Sequence, residues 1–145
     1  MPAQGFAART LHATCVAIGG KGVLLRGRSG SGKSDLALRL MDAGAALVAD
    51  DRVQIARRGD RLEARPHERL AGLLEVRGIG IVHVPHRAKA LLRLVVDLDV
   101  RPARLPRRRT CVIHGVRLPW IALDGHAASA PAKLRLALRA PRTEV

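Results

Sequence analysis

The chain has 145 residues, the size of one ordinary domain, and 48% of them are hydrophobic while only 1% are aromatic. This hydrophobic content excludes a largely disordered chain, and the scarcity of aromatic rings excludes a series of base-stacking platforms for single-stranded nucleic acid. The formal net charge of +14 is compatible with an anionic partner, but 22 of the 26 cations are arginine, a skew that genome base composition also produces.

The predicted elements begin with a β-hairpin over residues 10–18 and 23–26, which leads into a glycine-rich loop. Leucines at helical spacing from Ser34 predict a helix that stops at Gly44. Downstream we expect a buried strand at 45–49, a hairpin over 52–57 and 61–65, and a loop followed by a strand within 71–84. After a strand at 91–97 we expect an exposed connector at 101–109, a strand at 110–114 with a hairpin arm at 115–123, and a helix from Ser129 to about Arg139. This order predicts an α/β fold with a mixed sheet, in a single domain over residues 1–145.

No segment has the roughly 18 consecutive uncharged residues of a membrane span, and the N-terminus lacks the apolar core of a signal peptide. We therefore expect a cytoplasmic protein with no membrane partner. Cys15 and Cys111 have neither metal-type nor redox-type spacing, which predicts two buried free thiols.

The glycine-rich loop matches a phosphate-binding motif. Residues 27–34 read G-R-S-G-S-G-K-S and fit the pattern G-x-x-x-x-G-K-[ST], between a predicted strand and a predicted helix. Its backbone N–H groups and the helix N-terminus would surround phosphate oxygens, Lys33 would meet the outer phosphates, and the Ser34 hydroxyl would bind Mg²⁺. The candidate nucleotide-binding residues are Gly27, Arg28, Ser29, Gly30, Ser31, Gly32, Lys33 and Ser34.

Carboxylates near the loop are candidates for metal binding and proton transfer. Asp50 and Asp51 follow the predicted buried strand, so one can hold the metal while the other accepts a proton, although an Asp-Asp turn without chemistry remains an alternative. From the residues alone, His12 is more typical of a surface position than of a catalytic one. Glu75 is a functional carboxylate, an exposed turn residue or the ion-pair partner of Arg77.

Five segments together resemble the catalytic domain of HPr kinase/phosphorylase. They are R-T-L-H at 9–12, the loop at 27–34, L-V-A-D-D-R-V at 47–53, L-L-E-V-R-G-I-G-I-V at 73–82 and S-A-P-A-K-L-R at 129–135. The chain resembles the short forms of this family, which consist of the C-terminal catalytic domain only. The resemblance implies a P-loop fold similar to phosphoenolpyruvate carboxykinase, and frequent homo-oligomers.

The resemblance also implies an activity. Members use ATP and Mg²⁺ to phosphorylate a serine of HPr, the phosphocarrier of the sugar phosphotransferase system, and so regulate carbon and nitrogen metabolism. Many members reverse the reaction with inorganic phosphate, giving pyrophosphate. The longer enzymes carry a P-V-R-P-G-R type loop associated with this reversal, and the nearest segment here, L-P-W-I-A-L-D at 118–124, keeps Pro119 but has no arginine.

Carried over by motif, the resemblance implies a role for each candidate. Asp51 would be the base for the HPr serine and the acid for the reverse reaction, with His12 beside it to tune the proton. Ser34 and Glu75 would hold Mg²⁺, and Asp50 would support the metal or its waters.

Two cations complete the implied site. Lys33 would stabilise the migrating phosphoryl group, and Arg104 is the match to a catalytic arginine of the family. Arg101 and Arg107 compete for that assignment. Residues 74–83 would correspond to the catalytic signature of the family.

Two functions from other classes stay open at this point. One is a regulatory module that senses ATP without catalysis and contacts a protein or nucleic acid through its arginines. The other is nucleic-acid binding as the main role, which the net charge favours and the absence of a recognition motif disfavours.

Overall fold

The computed structural model describes residues 8–139. The strands are β1 Arg9–Leu11, β2 Ala13–Ile18, β3 Lys21–Arg26, β4 Ala46–Ala49, β5 Val53–Arg58, β6 Arg61–Pro66, β7 Leu73–Val76, β8 Gly80–His83, β9 Ala90–Asp97, β10 Arg109–Ile113 and β11 Val116–Ala122. The helices are α1 Lys33–Asp42 and α2 Ala130–Arg139, with a single 3₁₀ turn at Glu68–Leu70.

The main sheet is mixed, as the sequence predicted. Its strand order is β1-β5-β6-β9-β3-β2-β4, and β11 pairs with the second half of β9 and carries β10 at its outer side. The pairs β3–β9 and β9–β11 are parallel, whereas the other pairs are antiparallel. The three parallel strands therefore direct their carboxyl ends to one edge, where a phosphate site is expected in α/β sheets.

Both faces of the central strands are buried, which explains their nearly continuous apolar sequences. One face packs against the two helices through Leu36, Leu40 and Leu134. The other face encloses a second apolar cluster that includes Ile55 and Leu62. Because both faces are covered, the alternation that marks a half-exposed strand is absent from β2, β3, β4 and β9.

Most predicted elements are confirmed, with small shifts at their ends. The hairpin β2–β3 leads into the phosphate loop, and α1 ends before Gly44, whose φ of 107° suits the left-handed stop predicted for it. The arginine-rich residues 101–108 are exposed and form no regular element, as predicted for a connector.

Three local predictions were wrong. The segment 10–18 is two strands, because the chain breaks at the exposed His12 and β1 pairs with β5 instead of continuing β2. The segment 71–84 is the hairpin β7–β8 rather than a loop and one strand, since Gly78, with a φ of 89°, permits the tight turn that joins the two paired strands. Cys15 is buried as predicted, but Cys111 lies on the outer strand β10 and is only partly buried.

No helix in the stretch 8–139 is long and apolar enough to cross a membrane.

Candidate active site

The phosphate loop is shaped by two left-handed glycines and opens onto the start of α1. Gly30 and Gly32 have φ values of 86° and 97°, a region that residues with a side chain seldom occupy. Gly32 is the N-cap of α1 and supplies no side-chain cap, so the first N–H groups of the helix stay available to an anion. The loop therefore has the backbone geometry of an anion-binding cradle.

One side chain of the loop is suited to a phosphate group, and a second is buried within the loop. The buried Lys33 ammonium donates to the carbonyl oxygens of Gly27 at 2.6 Å and Arg28 at 3.3 Å, within its own loop. The hydroxyl of Ser31 is buried beside Gly27 and has no hydrogen-bond partner among residues 8–139. Phosphate oxygens would satisfy the Lys33 ammonium, so this residue fits a bound polyphosphate.

Asp50 connects four elements at the site. Its Oδ1 accepts hydrogen bonds from Ser34 Oγ at 2.6 Å and Thr14 Oγ1 at 3.1 Å, and its Oδ2 accepts the backbone N–H of Glu75 at 3.2 Å. These donors belong to α1, β2 and β7, whereas Asp50 follows β4. One carboxylate thus positions the hydroxyl that ends the phosphate loop and the strand that carries Glu75.

Asp51 lies in the same cavity because the strand has already ended. Strand β4 stops at Ala49, and Asp51 has a left-handed φ of 62°, which removes the alternation that would place adjacent side chains on opposite faces. Its N–H donates to Thr14 Oγ1 at 3.1 Å. Both carboxylates therefore line the cavity beside the phosphate loop.

These groups line a cavity of about 460 Å³. Its walls are formed by Ser29, Gly30, Gly32, Lys33, Ser34, Asp35, Leu38, Asp50, Asp51, Glu75, Val76, Arg77 and His126.

In the part of the chain that the structure describes, no three His, Cys, Asp or Glu side chains form a ready metal cluster. Mg²⁺ usually takes one or two protein carboxylates and completes its shell with phosphate oxygens and water, so the oxygen donors Ser34, Asp50 and Glu75 fit it.

Comparison with known proteins assigns the family. The model of the HPr serine kinase C-terminal domain matches residues 4–98, which is more than half of the chain. The chain belongs to the HPr serine kinase C-terminal domain family. The resemblance inferred from its motifs is confirmed.

Two curated relatives of this kinase family illustrate the match. HPr kinase/phosphorylase from Azoarcus sp. (strain BH72) is 40% identical over 129 residues, covering 79% of this chain and 41% of the relative. The enzyme of the same name from Burkholderia lata is 46% identical over 101 residues, covering 64% of this chain and 31% of the relative. The chain therefore spans 41% and 31% of the length of these two kinase relatives.

A solved structure supports the fold assignment. The HPr(Ser) kinase/phosphatase from Coxiella burnetii superimposes with a TM-score of 0.78 at 27% sequence identity, covering 90% of this chain and 94% of that chain. The α/β P-loop fold with a mixed sheet is thus that of a known HPr kinase structure.

Not every residue that the kinase resemblance implies lies in the cavity. His12 is exposed at the break between β1 and β2, and Arg104 is exposed in the connector, and neither lines the cavity. Their assigned roles stay predictions. Glu75 and Arg77 both line the cavity, and no ion pair joins them among residues 8–139.

Three residues that serve the site were missed from the sequence. Thr14 is fully buried and binds both Asp50 and Asp51, and its signal was a hydroxyl within an otherwise apolar strand. Asp99 and His126 approach the phosphate loop from segments far along the chain. No sequence pattern marked these two positions, because only the sheet brings them to the loop.

Proposed function

We propose that this chain is the catalytic domain of an ATP- and Mg²⁺-dependent serine kinase that phosphorylates HPr or an HPr-like phosphocarrier. The observation that carries the proposal is the convergence of Lys33, Ser34 and the Asp50–Asp51 pair on one cavity. A module that only senses nucleotide needs a phosphate loop and one metal-binding acid. The second carboxylate, placed beside the first without being needed for the metal, supports phosphoryl transfer over sensing.

The loop residues bind the nucleotide in this proposal. Residues 27–34 hold the phosphates, and the Lys33 ammonium moves from the carbonyl oxygens of its own loop to the transferring phosphoryl group. Ser34, Asp50 and Glu75 hold Mg²⁺, which neutralises phosphate charge when it is bound. Because Asp50 already accepts a hydrogen bond from the Ser34 hydroxyl at 2.6 Å, Ser34 and Asp50 are positioned before the nucleotide arrives.

Asp51 is the general base in this proposal. The hydroxyl oxygen of the substrate serine attacks the γ-phosphorus, its proton passes to the Asp51 carboxylate, and the bond from the γ-phosphorus to the bridging oxygen breaks to release ADP. The hydrogen bond from the Asp51 N–H to Thr14 holds the residue in its left-handed conformation, with its side chain in the cavity. The resemblance further assigns to His12 the tuning of this proton and to Arg104 the stabilisation of charge on the phosphoryl group, although neither lines the cavity in this structure.

The reverse reaction and the assembly belong to the same proposal. Pyrophosphate-forming phosphorolysis would use the same Asp51, now as an acid toward the serine oxygen. Residues 118–124, the nearest segment to the dephosphorylation loop of the longer enzymes, contain no arginine, and residues 118–122 lie within strand β11, so we expect phosphorolysis to be weaker than kinase activity. We expect a cytoplasmic homo-oligomer that regulates the phosphotransferase system.

The proposal is tested with γ-labelled ATP, Mg²⁺ and purified HPr from the same organism. We expect label on wild-type HPr and none on HPr in which the target serine is alanine. Inorganic phosphate is then added to the labelled product, and release of pyrophosphate measures the reverse reaction. ATP binding without any labelling would favour the ATP-sensing module.

The Asp51→Asn variant tests the assigned base. A general base contributes about 10²- to 10⁴-fold to rate, so we expect kcat to fall by at least about a hundredfold while ATP affinity stays within about twofold of the wild type. Undiminished phosphotransfer in this variant would show that Asp51 is not the base.

A further inference from the structure

The loop that follows β11 packs directly on the phosphate loop. A Cβ on Gly125 would lie 2.8 Å from the carbonyl oxygen of Ser31, so the two backbones touch where a larger residue would not fit. A Cβ on Gly32 would lie 3.2 Å from Cε1 of His126, so the imidazole lies against the last glycine before Lys33. His126 is exposed and lines the cavity described above.

The same loop is anchored to helix α1. The Arg39 guanidinium donates to the carbonyl oxygen of Ala127 at 2.9 Å and also to that of Gly125, while its Nε contacts Asp35 at 3.0 Å. The N–H of His126 donates to the Asp124 carboxylate at 3.0 Å. The backbone of His126 is therefore fixed relative to the phosphate loop, although its ring faces solvent.

The sheet order places His126 on the side of the phosphate loop away from the carboxylates. Strand β3 leads into the loop, and β4, which delivers Asp50 and Asp51, lies to one side of it beyond β2. Strand β11, which delivers His126, lies on the other side beyond β9. The two groups approach the loop from opposite sides of the strand that carries it.

This arrangement indicates the direction in which a nucleotide would lie. In the proposed function the outer phosphates and the metal belong with Lys33, Ser34 and the two aspartates, as in other phosphate loops. A nucleoside at the opposite end of the phosphate chain would then lie away from the aspartates, on the side of the loop where His126 packs on Gly32. Among the cavity-lining residues within 8–139, His126 carries the single aromatic ring.

We propose that the loop of residues 124–127 forms the nucleoside subsite, in which the His126 imidazole stacks on the base of the bound nucleoside triphosphate. The inference rests on the proposed function, because it assumes that residues 27–34 bind ATP. It adds a ligand subsite on the side of the loop opposite the chemistry. The role is binding and positioning of the nucleotide, with no part in phosphoryl transfer.

Binding of two probes distinguishes a base contact from a phosphate contact. The Kd values of Mg²⁺-ATP and of Mg²⁺-tripolyphosphate, which has no nucleoside, are measured by calorimetry on the full chain. Stacking of a base on an aromatic side chain is commonly worth about tenfold or more in affinity. We expect His126→Ala to weaken ATP binding about tenfold with tripolyphosphate binding unchanged, and His126→Phe to restore most of the ATP affinity.

The Lys33→Ala variant is the matched control, because a phosphate contact should weaken both probes equally. Wild-type ATP affinity in His126→Ala would overturn the subsite, and so would an equal loss for ATP and tripolyphosphate, which would place His126 on the phosphates. Failure of the wild-type chain to bind ATP would instead overturn the proposed function. Thermal unfolding of each variant verifies that the chain remains folded.

Discussion

At the scale of single residues, the site depends on one buried hydroxyl. Thr14 Oγ1 donates to the Asp50 carboxylate and accepts the Asp51 N–H, each at 3.1 Å. Asp51 has a left-handed φ of 62°, which is unfavourable for a residue with a side chain. The Thr14 hydroxyl therefore offsets part of that cost and sets the geometry of both carboxylates.

We predict that Thr14→Val destabilises the protein by about 1–3 kcal/mol, because the Asp51 N–H loses its partner and Asp50 loses a donor. The shape of the side chain is nearly unchanged, so the effect is that of the hydroxyl. Thr14→Ser retains the hydroxyl and serves as the control. Urea denaturation measures both variants, and a Thr14→Val protein as stable as the wild type would contradict the assignment.

The burial of the Cys15 thiol predicts how stability and thiol reactivity depend on pH. Burial raises the pKa of Cys15 from 9.0 to about 12, and a hydrogen bond from the backbone at Val23 offsets little of this shift. The unfolded chain releases this proton more easily, so the stability associated with the shift is present below pH 9 and is lost between about pH 9 and about pH 12.

In a Cys111→Ala variant, where Cys15 is the remaining thiol, we expect reaction with a disulfide reagent at pH 8 to be about a thousandfold slower than for a free thiol. Denaturant should restore fast labelling. Rapid labelling of the folded protein would show that Cys15 is accessible as thiolate.

At the scale of elements, the end of β9 holds the beginning of the phosphate loop. Asp99 Oδ2 accepts the backbone N–H of Arg28 at 2.9 Å, and Asp97 Oδ1 accepts the N–H of Asp99 at 3.0 Å. Asp97 also contacts the Arg26 guanidinium at 3.6 Å, across the parallel pair of strands. Two carboxylates thus connect β9 to the strand and the loop that carry the phosphate site.

We expect Asp99→Ala to weaken ATP binding about fivefold, because the Arg28 N–H loses the acceptor that fixes the loop. This factor corresponds to the loss of one hydrogen bond worth about 1 kcal/mol. Stability should change by less than about 0.5 kcal/mol, since the residue lies at the surface. Asp99→Asn keeps an acceptor oxygen and should recover most of the affinity. Equal losses in both variants, measured by calorimetry, would assign the effect to the charge beside Arg28.

At the scale of the whole molecule, positive charge is concentrated next to the site. Residues 100–123 contain six arginines and no acidic residue. The segment begins directly after Asp99 and includes the exposed connector 101–108. Such a surface raises the encounter rate with an acidic protein partner and loses this effect as salt screens it.

Single substitutions separate catalysis from steering. Among Arg101→Gln, Arg104→Gln and Arg107→Gln, we expect Arg104→Gln to lower kcat for HPr phosphorylation by about a hundredfold or more. The other two should raise KM for HPr by less than about threefold and reduce its dependence on salt. A large fall in kcat for Arg101→Gln or Arg107→Gln, with Arg104→Gln near the wild type, would reassign the catalytic arginine.

The local sequence was sufficient to predict those parts of the structure that depend on residues close together along the chain. The glycines and Lys33 of the loop lie within eight residues, and α1 and the hairpins β2–β3 and β5–β6 follow from local patterns, whereas the hairpin β7–β8 was missed. Asp50 and Asp51 could be placed near the loop because a short helix and one strand separate them from Ser34. The family likeness was recognisable for the same reason, because each of the five segments that carry it has ten residues or fewer.

The tertiary structure alone decided which distant residues join the loop. Thr14, Asp99 and His126 are brought there by strand order and register, which depend on pairing between segments up to about seventy residues apart and leave no local pattern. Burial of both sheet faces also removed the alternation that would have marked the strands. The phosphate-binding chemistry of the loop could therefore be predicted from the sequence. The contacts that position the loop and extend its site could be identified only from the tertiary structure.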